Sequence, residues 1–275
     1  MSDAQSFVSQ GNATHMVHPE TGEKIYNRVP LVTWDFWLVK LLAVTVGETA
    51  ADLINSSLGL GLTKTSLLMS VFLIAALVYQ FAQKKYVPWI YWLTVVLVSV
   101  VGTLITDNFI DNLGWPFTPI TSMFAAALAA TFLAWYATEK TLSIHSIYTF
   151  RREAFYWLAI LFTFALGTSA GDQAAEGLGL GFLMSGVMYG AMIAVITGLF
   201  YAKQMNGILA FWLAYIITRP MGASFGDFLS QPVSNGGLGL GTIITSLIFF
   251  AAIAGTVLYM TRSKEGEETV PPSEL

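Results

Sequence analysis

Residues 166–176 read LGTSAGDQAAE and lie within an apolar run that begins at Trp157. The stretch contains Asp172 and Glu176, which are four residues apart and therefore share one face of a helix. Carboxylates are costly at the depth of a lipid bilayer, where they usually face the protein interior or a water-filled cavity. The stretch therefore predicts a membrane helix that carries functional acids.

The composition of the 275-residue chain is that of an integral membrane protein. Hydrophobic residues make up 55% of the sequence and charged residues 11%, whereas about a quarter of the residues of soluble domains are charged. This composition leads us to expect the lipid bilayer as a partner. No basic patch is interleaved with aromatic residues, so we expect no binding of nucleic acid. The chain has no cysteine, which excludes disulfides, thiolate metal sites and thiol catalysis.

Eight apolar segments of the chain each have about the 20 residues that a membrane-spanning helix needs. We therefore predict an all-α integral membrane protein with eight transmembrane helices. The segments cover residues 34–55, 62–82, 88–110, 118–138, 154–176, 180–202, 207–230 and 239–261.

The joints between these segments differ in charge, and this difference indicates the orientation. Joints after odd-numbered segments are rich in glycine and have no basic residue. By the positive-inside rule, the basic joints and both termini lie in the cytoplasm. We expect residues 1–30 to form a polar arm, residues 31–262 the membrane domain and residues 263–275 a disordered tail. The basic joints contain Lys84, Lys85, Lys140, Arg151, Arg152 and Lys203.

The sequence contains four tandem repeats, at about residues 34–85, 88–140, 153–204 and 207–262. Each has a tryptophan, which we expect to anchor at the cytoplasmic headgroups, then a glycine and an aspartate at fixed distances. Two crossings in each unit give all four the same orientation, so we expect a pseudo-fourfold ring or a pair of pairs. The aligned residues are Trp37, Trp92, Trp157 and Trp212; Gly47, Gly102, Gly167 and Gly222; and Asp52, Asp107, Asp172 and Asp227.

Four tandem two-helix units, each with this tryptophan, resemble a bacterial membrane-protein family named only as a repeat of unknown function. The resemblance covers the chain from Trp34 to Arg262. It implies a bacterial inner-membrane protein with eight helices. It implies no reaction, so the function has to be argued from the residues.

Seven carboxylates are predicted to share one layer near the outer ends of the odd-numbered helices. Only Arg219, Lys40 and Lys64 lie within the predicted membrane segments as cations that could balance them. So many acids cannot all stay ionised in a low-dielectric site, and either protons or a bound cation must neutralise them. The predicted core ligands are Asp52, Asp107, Asp172 and Asp227, with Glu48, Asp111 and Glu176 beside them and Arg219, Thr103 and Thr168 in support.

Oxygen ligands without cysteine favour a hard cation, so we expect bound Mn²⁺, Mg²⁺ or Ca²⁺ and no covalent cofactor. A secondary transporter fits these features, with export as the slightly favoured direction and protons as a candidate coupling ion. A cation channel and a structural or sensory protein stay open as alternatives. The sequence contains no recognised nucleophile elbow or phosphate loop, so we do not expect an enzyme. The sequence does not define the oligomeric state.

Two interpretations of single residues also stay open. Asp111 and Glu176 lie near helix ends, where the alternative to a site role is simple contact with the outer surface. Arg219 is interpreted as a structural clamp on Glu48 or on an aspartate, and the alternative is a moving counter-ion.

Overall fold

The computed structural model describes residues 24–57, 60–263 and 270. Within these ranges the chain is all-helical, and eight long α-helices follow one another through short joints. Three of the helices continue directly into a single π-helical turn, at Leu53–Ser57, Asn108–Asn112 and Gln173–Gly177. The helices are α1 (Trp34–Asp52), α2 (Leu62–Phe81), α3 (Pro88–Asp107), α4 (Phe117–Glu139), α5 (Phe150–Asp172), α6 (Phe182–Tyr201), α7 (Gly207–Ser230) and α8 (Thr242–Ser263).

Seven of these helices, α2 to α8, are long and apolar enough to cross a membrane. The remaining helix, α1, is long enough to cross a membrane but carries four charged residues, Asp35, Lys40, Glu48 and Asp52. The prediction of an all-α membrane protein is therefore confirmed, whereas the crossing by α1 stays a prediction. Several boundaries differ from the sequence prediction by up to four residues, and α8, for example, begins at Thr242. Helix α5 begins at Phe150, because the Thr149 side chain accepts a hydrogen bond from a backbone N–H of the first turn.

The helices divide into an inner and an outer set. The inner helices α1, α3, α5 and α7 contact one another in a closed cycle. Each outer helix packs chiefly on the inner helix that follows it in the chain: α2 on α3, α4 on α5 and α6 on α7, while α8 packs on α1. Outer side chains such as Leu67 and Leu133 are 67% and 71% exposed, whereas Val95 and Tyr215 of the inner set are fully buried. The exposed apolar surface of the outer helices suits contact with lipid.

The aligned glycines allow the inner helices to approach one another closely. A Cβ atom placed on any of them would lie within 1.8–2.8 Å of a side-chain atom of the next inner helix, which is too close for any larger residue without a shift. The residues they contact also share one aligned position, so the same contact recurs around the cycle. The contacts are Gly47 with Ser99, Gly102 with Phe164, Gly167 with Arg219, and Gly222 with Val44.

The described part of the N-terminal segment is attached to the bundle. Asn27 is 1% exposed; its side chain donates to the Ile144 carbonyl at 2.8 Å and accepts from the Ile147 N–H at 3.0 Å. Arg28 forms an ion pair with the buried Glu153 at 2.8 Å. Of the predicted polar arm, Asn27 is thus packed against the α4–α5 joint and Arg28 against α5, and residues 1–23 lie outside the described residues.

The predicted disordered tail falls almost entirely outside the described residues. Ser263 is the last residue of α8. Val270 is buried, and its backbone N–H donates to the Ile25 carbonyl at 3.0 Å. Residues 264–269 and 271–275 are not described.

Candidate functional site

All the carboxylates predicted for the site line one cavity of about 190 Å³ at the ends of the inner helices. We call it the acidic cavity. Its remaining lining comes from Asn55, Ile110, Phe117 and Gln231, and no lysine or arginine is among the described residues that line it. Lys64 is exposed at the start of α2 and does not contribute. The seven acids are Glu48, Asp52, Asp107, Asp111, Asp172, Glu176 and Asp227.

The ends of the inner helices explain how the acids come together. Asp52, Asp107 and Asp172 are each the last α-helical residue before a π-helical turn. Single π-turns inside helices occur frequently at functional sites, because the extra residue changes the direction of the side chains that follow. Asp111 and Glu176 belong to two of these turns. The fourth inner helix differs, since α7 continues to Ser230 as an α-helix.

The acids form a gradient of burial from the bottom of the cavity to its rim. Glu48 and Asp227 are buried, at 5% and 7% exposure. Asp52, Asp107 and Asp172 are partly buried, and Asp111 and Glu176 are exposed. The two rim acids therefore reach the surface and also line the cavity, so the two interpretations of these residues are compatible.

Three of the aspartates have no partner in the part of the chain that the structure describes. No hydrogen bond or ion pair joins the carboxylates of Asp107, Asp172 and Asp227 to another described side chain. A buried carboxylate without a partner is strongly unfavourable unless water, a proton or a cation satisfies it. Over the same residues, however, no three acidic or histidine side chains converge closely enough to hold one metal ion directly.

A buried arginine lies below the cavity and pairs with Glu48, one of the acids that line it. The Arg219 Nη2 atom donates to Glu48 Oε2 at 2.9 Å, to Thr168 Oγ1 at 2.7 Å and to Thr103 Oγ1. Thr103 Oγ1 also donates to Glu48 Oε2 at 3.1 Å. Ala223, the residue of the fourth repeat that aligns with Glu48, Thr103 and Thr168, is buried and small. Arg219 therefore clamps Glu48, as one of the sequence interpretations suggests. Its contacts join all four inner helices.

Lys40 lies two turns below Glu48 on α1 and is fully buried. Its Nζ atom donates to the Tyr215 carbonyl at 2.8 Å and to the Thr218 hydroxyl, and it lies 4.2 Å from the centre of the Tyr215 ring. Its hydrogen bonds are therefore with neutral groups of α7. Lys40 does not line the acidic cavity and does not balance its carboxylates.

Beyond Lys40, a layer of buried aromatic residues fills the space between the inner helices. The Tyr91 and Tyr156 hydroxyls lie 2.5 Å apart, and the Phe36 and Phe211 rings lie 6.0 Å apart. Each of these residues directly precedes an aligned tryptophan, so the repeat alignment contained the signal for this layer. The four residues are 0–9% exposed, and the layer forms part of the main hydrophobic core.

Three of the aligned tryptophans do not lie at an exposed interface, so the headgroup-anchor prediction is wrong for them. Trp92, Trp157 and Trp212 are 1–4% exposed. Their indole N–H groups find partners inside the protein; for example, Trp92 donates to the Tyr86 hydroxyl at 3.0 Å. Burial raises the pKa of this Tyr86 hydroxyl above its ordinary value. The indoles belong to the core because it offers them both apolar contact and an acceptor.

A second and larger cavity, of about 770 Å³, lies between α1, α6, α7 and the α4–α5 joint. Its lining is mainly apolar, with Trp34, Trp37 and Phe211 among the aromatic residues, and no described lining residue is acidic. It is therefore separate from the carboxylates and offers no comparable chemistry.

Comparison with known families identifies the repeats. The family described as Repeat of Unknown Function (DUF347) matches the chain four times in tandem, at residues 36–86, 90–141, 155–206 and 210–265. No curated protein and no solved structure matches the chain. The four matches agree with the repeats found by aligning the tryptophans and cover well over half of the sequence. The chain therefore belongs to this family of repeats of unknown function.

Proposed function

We propose that this protein is a secondary transporter of a hard cation, a divalent ion such as Mn²⁺ or Mg²⁺, in the bacterial inner membrane. One observation carries the proposal: seven carboxylates line a single cavity to which the described chain contributes no lysine or arginine. Such an excess of negative charge attracts cations and is unfavourable without them. Export and proton coupling remain parts of the proposal, because exposed acids at the rim and buried acids below them provide successive sites for an ion or a proton.

The proposed arrangement in the membrane is eight spans, built from four parallel two-helix units around a pseudo-fourfold axis with both termini cytoplasmic. The closed cycle of inner helices supports this arrangement. The charges of α1 are compatible with a crossing, because Asp35, Lys40 and Glu48 are at most 5% exposed and are covered by protein rather than by lipid. Ionisable residues in membrane spans are expected to face the interior in this way.

The clamp between Arg219 and Glu48 provides the proposed gate. A cation that enters the acidic cavity competes with the guanidinium for the Glu48 carboxylate, which is both a clamp residue and a lining residue. Release of Arg219 would also free its contacts with Thr103 and Thr168, and therefore loosen all four inner helices at one level. In this mechanism, the ion and the arginine are alternative partners of one carboxylate.

A transporter is favoured over an open channel because the polar lining does not continue along the inner helices. Below Arg219 lie the fully buried Val95 and Ile160, followed by the aromatic layer. A conducting pore requires a continuous hydrated path or a constriction that gates by dewetting. The packed residues would have to separate before an ion could pass, as in alternating access.

Transport into proteoliposomes tests the proposal directly. The purified protein is reconstituted, and fluxes of Mn²⁺, Mg²⁺, Ca²⁺ and Na⁺ are measured with current recording. We expect flux of at least one divalent ion and a loss of more than tenfold in the Asp172→Asn and Asp227→Asn variants. Glu139→Gln is the matched control, since Glu139 pairs with Arg152 outside the cavity. Folded wild-type protein that moves no cation would refute the function, and large unitary currents would favour the channel.

A further inference from the structure

The acidic cavity combines a high negative charge with an arrangement that is unsuited to direct coordination. Its acids come from all four inner helices, and no three of them converge to hold one metal ion among the described residues. A dehydrated Mg²⁺ ion needs near-octahedral oxygen ligands at about 2.0–2.1 Å. The cavity therefore attracts a divalent cation but does not provide the inner coordination shell that would replace its water.

The volume of the cavity suits an ion that keeps its water. A water molecule occupies about 30 Å³ of the liquid. The cavity of about 190 Å³ therefore has room for several water molecules, so a cation can enter it without losing its hydration shell. An ion bound directly to the carboxylates would leave much of this space to be filled by other waters.

The chemistry of the lining points to the same ligand. An ionised carboxylate only accepts hydrogen bonds, and the outer surface of a hydrated cation presents only O–H donors. Asp227 gives independent support, because it lines the cavity, is 7% exposed, and forms no hydrogen bond or ion pair with any other residue that the structure describes. A buried acceptor of this kind needs a donor, and metal-bound water supplies one at every position around the ion.

We infer that the acidic cavity binds a divalent cation with its shell of six waters retained, through hydrogen bonds from the metal-bound water to Asp107, Asp172 and Asp227. The inference rests on the proposed function and defines its substrate as the hydrated ion. Mg²⁺ gives up its water more reluctantly than the larger Ca²⁺. Selectivity in this cavity therefore favours Mg²⁺ over Ca²⁺, which is the reverse of what a flexible direct-coordination site would give.

Hexaamminecobalt(III) tests the inference, because its six ammonia ligands do not exchange and present only N–H donors in an octahedron. Its binding to the full-length protein in detergent is measured by equilibrium dialysis, and its inhibition of Mg²⁺ flux is measured in proteoliposomes. We expect it to bind, to be displaced by Mg²⁺, and to inhibit flux. Asp227→Asn and Asp107→Asn should each weaken binding of the complex and of Mg²⁺ by about tenfold to a hundredfold. Glu139→Gln should bind like the wild type.

The outcomes separate this inference from the proposed function. The inference would be overturned if the cobalt complex does not bind and a hundredfold excess of it leaves Mg²⁺ or Mn²⁺ flux unchanged. The proposed transport function would still stand in that case. Binding of the complex without flux of any cation would support the hydrated-ion cavity and refute transport. Two aspartate variants are used, each checked by thermal melting, so that misfolding of one does not decide the result.

Discussion

The ion pair between Arg219 and Glu48 makes a strong prediction about stability. The arginine is fully buried and the Glu48 side chain is 7% exposed, with 2.9 Å between Nη2 and Oε2. Removing one partner of such a pair costs about 3–5 kcal/mol, because the other charge stays buried without compensation. We therefore expect Arg219→Met and Glu48→Gln each to lower the free energy of unfolding by this amount.

The double variant is expected to be more stable than either single variant. Replacing both members of a buried pair by neutral groups is often close to neutral, because no uncompensated charge remains. If the double variant costs less than one single variant, the coupling energy is at least about 3 kcal/mol. The pair Arg151–Glu139 is the control, since Arg151 is 68% exposed and the atoms lie 3.4 Å apart; its coupling should stay below about 1 kcal/mol.

The measurement is equilibrium unfolding in detergent, followed by the fluorescence of the eight tryptophans. All variants are compared at the same detergent concentration and pH, and the slope of the transition is checked for two-state behaviour. Additive effects of Arg219→Met and Glu48→Gln, within about 0.5 kcal/mol, would mean that the two charges are not coupled in the folded protein. That result would contradict both the clamp and the proposed gate.

Three further substitutions and one control have defined outcomes, each measured as unfolding free energy or melting temperature. Gly167→Ala places a Cβ 2.2 Å from Arg219 Cγ and should lower the free energy of unfolding by about 1–3 kcal/mol. The control is Gly198→Ala in α6, where a Cβ has no atom within 4 Å and the change should be neutral or stabilising. Equal effects of the two substitutions would argue against the close packing at Gly167. Asn27→Ala removes both hydrogen bonds to the α4–α5 joint and should cost about 1–3 kcal/mol, so an unchanged melting temperature would mean that the segment does not dock. Tyr91→Phe leaves the opposing buried hydroxyl unpaired and should cost about 1 kcal/mol, and a stabilised variant would contradict this hydrogen bond.

The acidic cavity could be predicted from the sequence because its acids occupy equal positions in equal units. Asp52, Asp107, Asp172 and Asp227 each follow an aligned tryptophan by fifteen residues. Helices of the same direction and the same rise per residue bring such residues to one depth. The gathering of these side chains therefore requires only parallel repeats, which the alignment already indicates.

The sequence limited the partner of Arg219 to Glu48 or one of the aspartates but did not identify which of them it is. On α7 the arginine lies one turn away from the level of Glu48, and its long side chain spans the difference. The helix that faces Arg219 is determined by how the four inner helices pack in their closed cycle, and the sequence of α7 alone does not contain this information. For the same reason, the docking of Asn27 onto residues more than a hundred positions away has no local signal.

The burial of the tryptophans was missed because sequence patterns describe one helix at a time. An indole near a helix end suits a headgroup region equally well when no neighbouring element is known. In the structure, Trp212 instead donates to the Leu142 carbonyl of the α4–α5 joint at 2.9 Å. The joint is a long-range partner, and its position is set by the packing of α4 on α5.

The packing of each outer helix on the next inner helix has a consequence for biosynthesis. Among the described helices, α1 precedes the others and is the one that is not apolar enough to count as a candidate span, whereas the helix that covers it, α8, follows all of them. Their contact includes a hydrogen bond from Ser246 to Thr49 at 2.9 Å. A nascent chain therefore holds α1 without this cover until α8 has been synthesised. A truncation that removes α8 should accordingly expose the polar residues of α1 and send the shortened chain to quality control.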